Sequence, residues 1–320
     1  MHKFLLFTCL LLALFHSAVA SHYLQRTDVQ QFIEQMVQTH RLDKQALQQL
    51  FQHAKIDAAV LEKIQSPTEH LAWYDYRARL ITPHRVTNGL AFWNENREAL
   101  SRAAKRYQVP IEIIVAIIGI ETSYGKNKGH HRVLDALTTL SFEYPPRAPF
   151  FRKELEQLLL LNQHSPNFDL YTLQGSYAGA IGIPQFIPSS YRRFAVDTQA
   201  KGYSDLVNST EDAIASVANY LKQHGWIENG PVAIPIRSKL LSKPGFYSKK
   251  QSSEVLPLPK LQAKLLALQG NNRTEYWMTF QNFKVIITYN TSSLYAMAVW
   301  QLSQKLQQAY ASTQPKTASQ

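Results

Sequence analysis

The sequence has a single cysteine, Cys9, and it lies within the first twenty residues. Once that stretch is removed, disulfides, thiolate metal sites and cysteine nucleophiles are all excluded, and stability has to come from a packed core. No HExxH, GxxxxGK[ST] or GxSxG occurs anywhere, which removes zincin, P-loop and nucleophile-elbow chemistry. Acidic residues are in deficit, 23 against 34 Lys and Arg, for a formal charge of +11, or +10 without Lys3. Such a chain is attracted to polyanions, although a basic surface kept for solubility fits equally well.

Long apolar runs are also missing beyond the N-terminus. The one that exists, Phe4 to Phe15, is twelve residues, too short for a hydrocarbon core that takes roughly 20. His2 and Lys3 precede it and Ser17-Ala18-Val19-Ala20 follows with the small-x-small form of a signal-peptidase site. These features predict a signal peptide over residues 1–20, cleavage before Ser21 and export, with a membrane-associated fraction wherever the cut is slow. Lipid attachment at Cys9 is disfavoured because Phe7 and Thr8 suit that site poorly. Export shifts the expected polyanion from nucleic acid to a wall polymer or anionic lipid.

What remains, 45% hydrophobic and 18% charged, has the composition of a soluble globular protein. Val29, Phe32, Ile33, Met36 and Val37 recur at helical spacing, as do Leu47, Leu50, Phe51 and Ala54. Ser66-Pro67-Thr68-Glu69 reads as a helix start, and Phe92, Trp93, Leu100, Ala103 and Ala104 as the apolar face of one helix ending near Tyr107. Pro110 opens a further helix in which Ile111 to Ile120 is apolar at nearly every position, so it is predicted to be buried on all sides. Helices are also expected over Leu134–Leu140, Phe150–Leu161 and from Thr210 or Asp212 to Gly225, with a glycine-rich loop over Gly175–Pro188. Prolines and short β-prone runs follow, among them Phe283 to Thr288, then a helix from about Ser293 to Tyr310 and a polar tail from Ser312.

The polar residue near the end of the apolar helix is Glu121. Burial and the negative end of the helix dipole both favour its neutral form, the property that a general acid needs near neutral pH. From the helix alone, a glutamate merely exposed at a helix end is as good a reading. Its context is Ile120-Glu121-Thr122-Ser123-Tyr124-Gly125, and a second cluster is Gly175-Ser176-Tyr177-Ala178-Gly179-Ala180-Ile181-Gly182-Ile183-Pro184-Gln185-Phe186.

Together with Leu134 to Phe142, Tyr144-Pro145, Ser216 to Tyr220 and His224-Gly225-Trp226, these segments resemble the B-type (membrane-bound B) lytic transglycosylases, and the likeness runs through most of the mature chain. It implies a mainly α, α+β fold with a lysozyme-like core. The expected division is a signal peptide at 1–20, a helical region at 21–109, a catalytic core at 110–225, a small β-containing module at 226–291, a returning helix at 292–311 and a tail at 312–320. The resemblance also implies that Glu121 is the single catalytic carboxylate, which cleaves peptidoglycan glycan strands to 1,6-anhydro ends. Ser176 and Gln185 would bind the N-acetyl sugar, and Tyr220, Tyr289, Asn290 and Tyr295 would line the cleft. Each tyrosine taken alone reads first as core packing. A hydrolytic muramidase and an inactive wall-binding protein are the alternatives.

No cofactor is expected, nor any nucleic-acid partner. The chain is expected to be a monomer on peptidoglycan, with cell-wall synthesis proteins as further candidate partners. Gly179 and Gly182 are read as keeping the loop clear for a close-lying sugar. Some relatives carry an EF-hand-like calcium loop, but the matching stretch here, from Asp197, has Lys201 at position 5 and Asn208 at position 12. No metal is therefore expected there. His130-His131 is read as a solvent-facing loop.

Overall fold

A computed structural model describes residues 22–65, 71–164, 168–236 and 263–313. The expected signal segment and the helix start at Ser66 to Glu69 lie outside them. Two compact units divide after Ile56. In the first, α1 (Thr27–His40) buries Val29, Phe32, Ile33 and Met36, and α2 (Lys44–His53) buries Leu47, Leu50 and Phe51. These stripes recur at the helical period, so each helix gains its stability by covering the other's apolar face. The rings of Phe32 and Phe51 meet edge to face at 6.0 Å.

The second unit begins with α3 (Ala58–Gln65), α4 (Trp73–Leu80), α5 (Pro83–Glu95) and α6 (Arg97–Tyr107). The apolar stripe from Phe92 to Ala104 is thus two helices and not one. Asn96 breaks it with φ −114° and ψ 23°, and its side-chain amide donates to the Phe92 carbonyl at 2.9 Å. The buried residues keep helical phase across the break, which is why periodicity alone passes over it.

At the centre lies α7 (Ile111–Thr122), buried at every position from Ile113 to Gly119. Next come β1 (His131–Arg132), α8 (Val133–Phe142), α9 (Ala148–His164) and β2 (Gln174–Gly175), which pairs antiparallel with β1 so that His131 opposes Gly175. After α10 (Pro188–Phe194), α11 (Thr210–Gln223) is N-capped by Ser209, whose hydroxyl accepts from the Asp212 amide at 3.2 Å. A three-stranded antiparallel sheet, β3 (Ala233–Ile236), β4 (Lys264–Gln269) and β5 (Thr274–Thr279), has β5 in the middle.

The β-prone run Phe283 to Thr288 is not a strand. It lies in α12 (Gln281–Tyr289), where Asn282, Phe283, Val285 and Ile286 are buried at helical spacing. The Asn282 side chain exchanges hydrogen bonds with Ile227 N and O and donates to Gly230 O, all at 2.8 Å. Tertiary pinning of this kind outweighs a β propensity that spans only ~1 kcal/mol. The chain then runs back along the core as α13 (Ser293–Thr313), and α5, α6, α11 and α13 all pack on α7. No helix among the described residues is long and apolar enough to cross a membrane.

Candidate active site

Glu121 lies in the last turn of the buried helix, and the chain reverses immediately after it. Ser123 (φ 50°) and Tyr124 (φ 65°) are both left-handed, and their amides donate to Gly119 O at 3.2 Å and Ile118 O at 3.3 Å, closing the helix end. Left-handed backbone in non-glycine residues persists only where the surroundings hold it. Here the Tyr124 hydroxyl donates to the Arg85 carbonyl at 2.8 Å, and its ring packs against Phe92 at 5.5 Å.

The Glu121 side chain keeps only a partial opening to solvent. Burial pushes its carboxyl up to about 7, against a weaker downward pull from the Tyr295 hydroxyl. That hydroxyl, carried by α13, lies 2.5 Å from Glu121 Oε1. Tyr295 is itself buried, and burial together with the Glu121 charge pushes its phenol well above the ordinary value, so it remains a donor.

From Tyr295 an aromatic series leads away. Tyr295 stacks with Tyr289 at 6.4 Å, Tyr289 meets Tyr220 at 4.9 Å, and Tyr220 stacks on His224 at 4.0 Å. The outer two tyrosines turn their hydroxyls to backbone: Tyr220 donates to Thr288 O and Tyr289 to Pro184 O, each at 2.6 Å. Tyr289 thereby connects the series to the residue before Gln185. Asn290 is exposed just past α12 and joins the group only as the neighbour of Tyr289 in the chain.

The glycine-rich segment is a loop braced by short antiparallel bridges, Gly175 with Ile181 and Ile181 with Phe186. Ser176 Oγ accepts from the amides of Ala178 at 3.2 Å and Ala180 at 3.0 Å. Both acceptor lone pairs are engaged, so the hydroxyl is left as a donor. Gln185 is the reverse case: its Nε2 donates to Gly182 O at 2.8 Å and Lys128 O at 3.1 Å, which leaves Oε1 as an acceptor.

Two readings of individual residues need correction. At Gly179 (φ +79°) a Cβ would come within 2.4 Å of Leu137, and at Gly182 (φ +74°) within 2.3 Å of the Leu206 carbonyl. These glycines are required by interior packing and positive φ, and the side chains that they exclude would point into the protein, not toward a sugar. His131 does not face solvent: it is buried, with Nδ1 2.8 Å from Asp57 Oδ2, while His130 beside it is exposed. Thr122, to which the sequence reading assigned no role, also belongs to the site. Its buried hydroxyl donates to Ile183 O at 2.8 Å and accepts from Gly125 N at 2.9 Å. A threonine beside a helix-terminal glutamate is the only sign of this in the sequence.

In the stretch from Asp197 to Asn208, the carboxylates already serve the backbone. Asp197 accepts from Gln199 N at 3.1 Å and Gly202 N at 2.8 Å, and Asp205 from Val207 N at 3.0 Å and Asn208 N at 2.9 Å. No group of three or more His, Cys, Asp or Glu among the described residues is arranged to hold a metal ion.

Residues 24–304 match the family model described as the transglycosylase SLT domain. The chain is 43% identical over 297 residues to the membrane-bound lytic murein transglycosylase B of Escherichia coli (strain K12), covering 87% of this chain and 82% of that protein. Among solved structures, it is similar to the E. coli lytic transglycosylase Slt35 in complex with calcium, with a TM-score of 0.83 and 43% identity over 91% of this chain and 96% of that one. Soluble lytic transglycosylase SltB1 from Pseudomonas aeruginosa matches with a TM-score of 0.79 and 40% identity, over 88% and 98% of the two chains.

Proposed function

The chain belongs to the transglycosylase SLT family, and on that premise we propose that it is a lytic transglycosylase that cleaves the β-1,4 bond between N-acetylmuramic acid and N-acetylglucosamine in peptidoglycan, with Glu121 as its acid and base. The observation that carries this reading is the solitary state of Glu121. Its proton affinity is governed by burial and by Tyr295, and among the described residues no second carboxylate acts on it. Glycosidases that deliver water ordinarily need two carboxyl groups, one for the leaving oxygen and one for the nucleophile.

With one carboxyl, the balance closes inside the substrate. Glu121, protonated, gives its proton to the glycosidic oxygen as the C1–O4 bond breaks. As a carboxylate it then takes the proton of the muramyl C6 hydroxyl while C1–O6 forms, and no water is consumed. A carboxyl poised near 7 is populated in both forms at neutral pH, as such a cycle requires. Tyr295 holds Oε1 and fixes the orientation of the group.

Ser176 and Gln185 supply one donor and one acceptor, the complement of an acetamido group, which carries one C=O and one N–H. Within the tyrosine series, Tyr289 keeps a partly open ring for an apolar sugar face, and the buried Tyr220 and Tyr295 brace it. The remaining assignments belong to the same proposal: a monomer, exported behind residues 1–20, that acts on wall glycan in the periplasm. The test is to digest purified peptidoglycan and weigh the products before and after borohydride reduction. Products one water lighter that resist reduction support the transglycosylase. Reducible ends make the enzyme a muramidase, and no products leave a wall-binding protein.

A further inference from the structure

The two halves of the site, the end of α7 and the loop that holds Gln185, are distant in sequence and are tied by side-chain hydrogen bonds to backbone. Thr122 Oγ1 donates to Ile183 O at 2.8 Å, and its longer approach to Ile118 O, 3.3 Å, is a weaker contact within the helix. The same oxygen accepts from Gly125 N, and Thr122 O accepts from Asn127 N at 2.9 Å. One residue therefore holds the end of the helix, the reversal after it and the loop opposite. A reciprocal link runs from Gln185 Nε2 to Lys128 O at 3.1 Å, and Tyr289 holds the next carbonyl, Pro184 O. Gln185 itself is left-handed, with φ 52°, a conformation that persists only while its neighbours hold it.

We infer that Thr122 is a positioning residue that keeps Glu121 and Gln185 in one register, through a buried hydroxyl that ties the helix end to the Ile183 carbonyl. This rests on Glu121 being the acid and base. Thr122 touches no substrate; it acts by setting where Glu121 and the loop stand relative to each other. Without the hydroxyl, Ile183 O loses its partner in a buried position, where an unsatisfied group is costly, and Gly125 N loses its partner at a part-buried one. The nearest relief is for the two segments to part and admit water beside Glu121. Misplacement on the order of 1 Å can lower a rate about 100-fold.

Thr122→Val keeps the shape and removes the hydroxyl, whereas Thr122→Ser keeps the hydroxyl. On peptidoglycan, Thr122→Val is expected to lower kcat about 10- to 100-fold with a smaller change in KM. The alkaline limb of its pH profile should move to lower pH as Glu121 becomes hydrated, and Thr122→Ser should restore most of both. A valine variant with wild-type kcat and an unmoved limb overturns the inference, as do serine and valine variants that are equally impaired. If the valine variant does not fold, Thr122→Ala against Thr122→Ser gives the same contrast. The masses of the wild-type products test the parent reading separately, since they do not depend on Thr122.

Discussion

Two irregular segments of the second unit, residues 175–187 and 197–209, differ in what holds them. The second is fastened by nearby carboxylates: Asp197 and Asp205 serve amides within it, and Asp212, at the start of α11, accepts from Thr198 N at 3.0 Å and Asp205 N at 2.9 Å. The first has carbonyls taken by side chains from far away, Ile183 O by Thr122 and Pro184 O by Tyr289. A segment held mainly by nearby acids is largely a local structure, although Val207 O is also taken by Lys128 Nζ at 2.8 Å. One held by distant hydroxyls takes its register from the fold, which suits a loop that must face a catalytic carboxyl.

Changing the group that both distant ties serve should have the largest effect. Glu121→Gln is expected to reduce the release of anhydro products by at least about 100-fold, measured by the mass of soluble muropeptides, and undiminished release would remove Glu121 from the mechanism. The same variant separates activity from stability. A carboxyl raised in the folded state contributes stability that is fully present below its unfolded value and lost as pH rises through about 7. Glu121→Gln should therefore match the wild type near pH 4 and exceed it at pH 9 by on the order of 3 kcal/mol, read from urea melts at the two pH values.

A smaller effect tests the loop's hydrogen-bond polarity. Removing the acetyl group from the sugar turns the acetamido pair into an amine, which offers Ser176 no carbonyl. De-N-acetylated glycan should be cleaved about 10-fold or more slowly, and equal rates would show that Ser176 and Gln185 do not read this group.

For the other segment, the expected loss is of stability and not of chemistry. Asp212→Ala strands the amides of Thr198 and Asp205, which should cost roughly 2–3 kcal/mol, while the folded fraction keeps its specific activity. A drop in specific activity would mean that the backbone bond between the segments, Ile183 N to Leu206 O at 2.8 Å, carries the disturbance to the loop. The smallest effect is that of calcium: with its carboxylates serving amides and Lys201 in the stretch, adding calcium or EDTA should move the melting temperature by less than about 1 °C. A rise with calcium would show that the carboxylates exchange amides for the metal.

The helix bearing Glu121 was legible because a buried helix has to be apolar all round, so a single glutamate at its end stands out. The start of α11 was legible for a similarly local reason, at the first of the two positions expected, Thr210. Phe283 to Thr288 was misread because β-branched residues suit either state, and the deciding contact, Asn282 with Ile227 and Gly230, lies over fifty residues away in sequence. Asn96 was missed because the apolar phase survives the break. The pair His130-His131 shows the limit at one residue's resolution: one ring is exposed and the next is buried on Asp57, a difference that composition does not carry.

By itself, then, the sequence determined the mainly helical architecture, the buried helix with its terminal carboxyl and the family to which the two glycine-bearing motifs point, since each depends on local patterning. Only the tertiary structure decided that Tyr295 meets Glu121, that Ser176 is left as a donor and Gln185 as an acceptor, and that Thr122 joins the two halves of the site. Each of those facts turns on which hydrogen-bonding groups are already satisfied, and that is known only when the whole chain is in place.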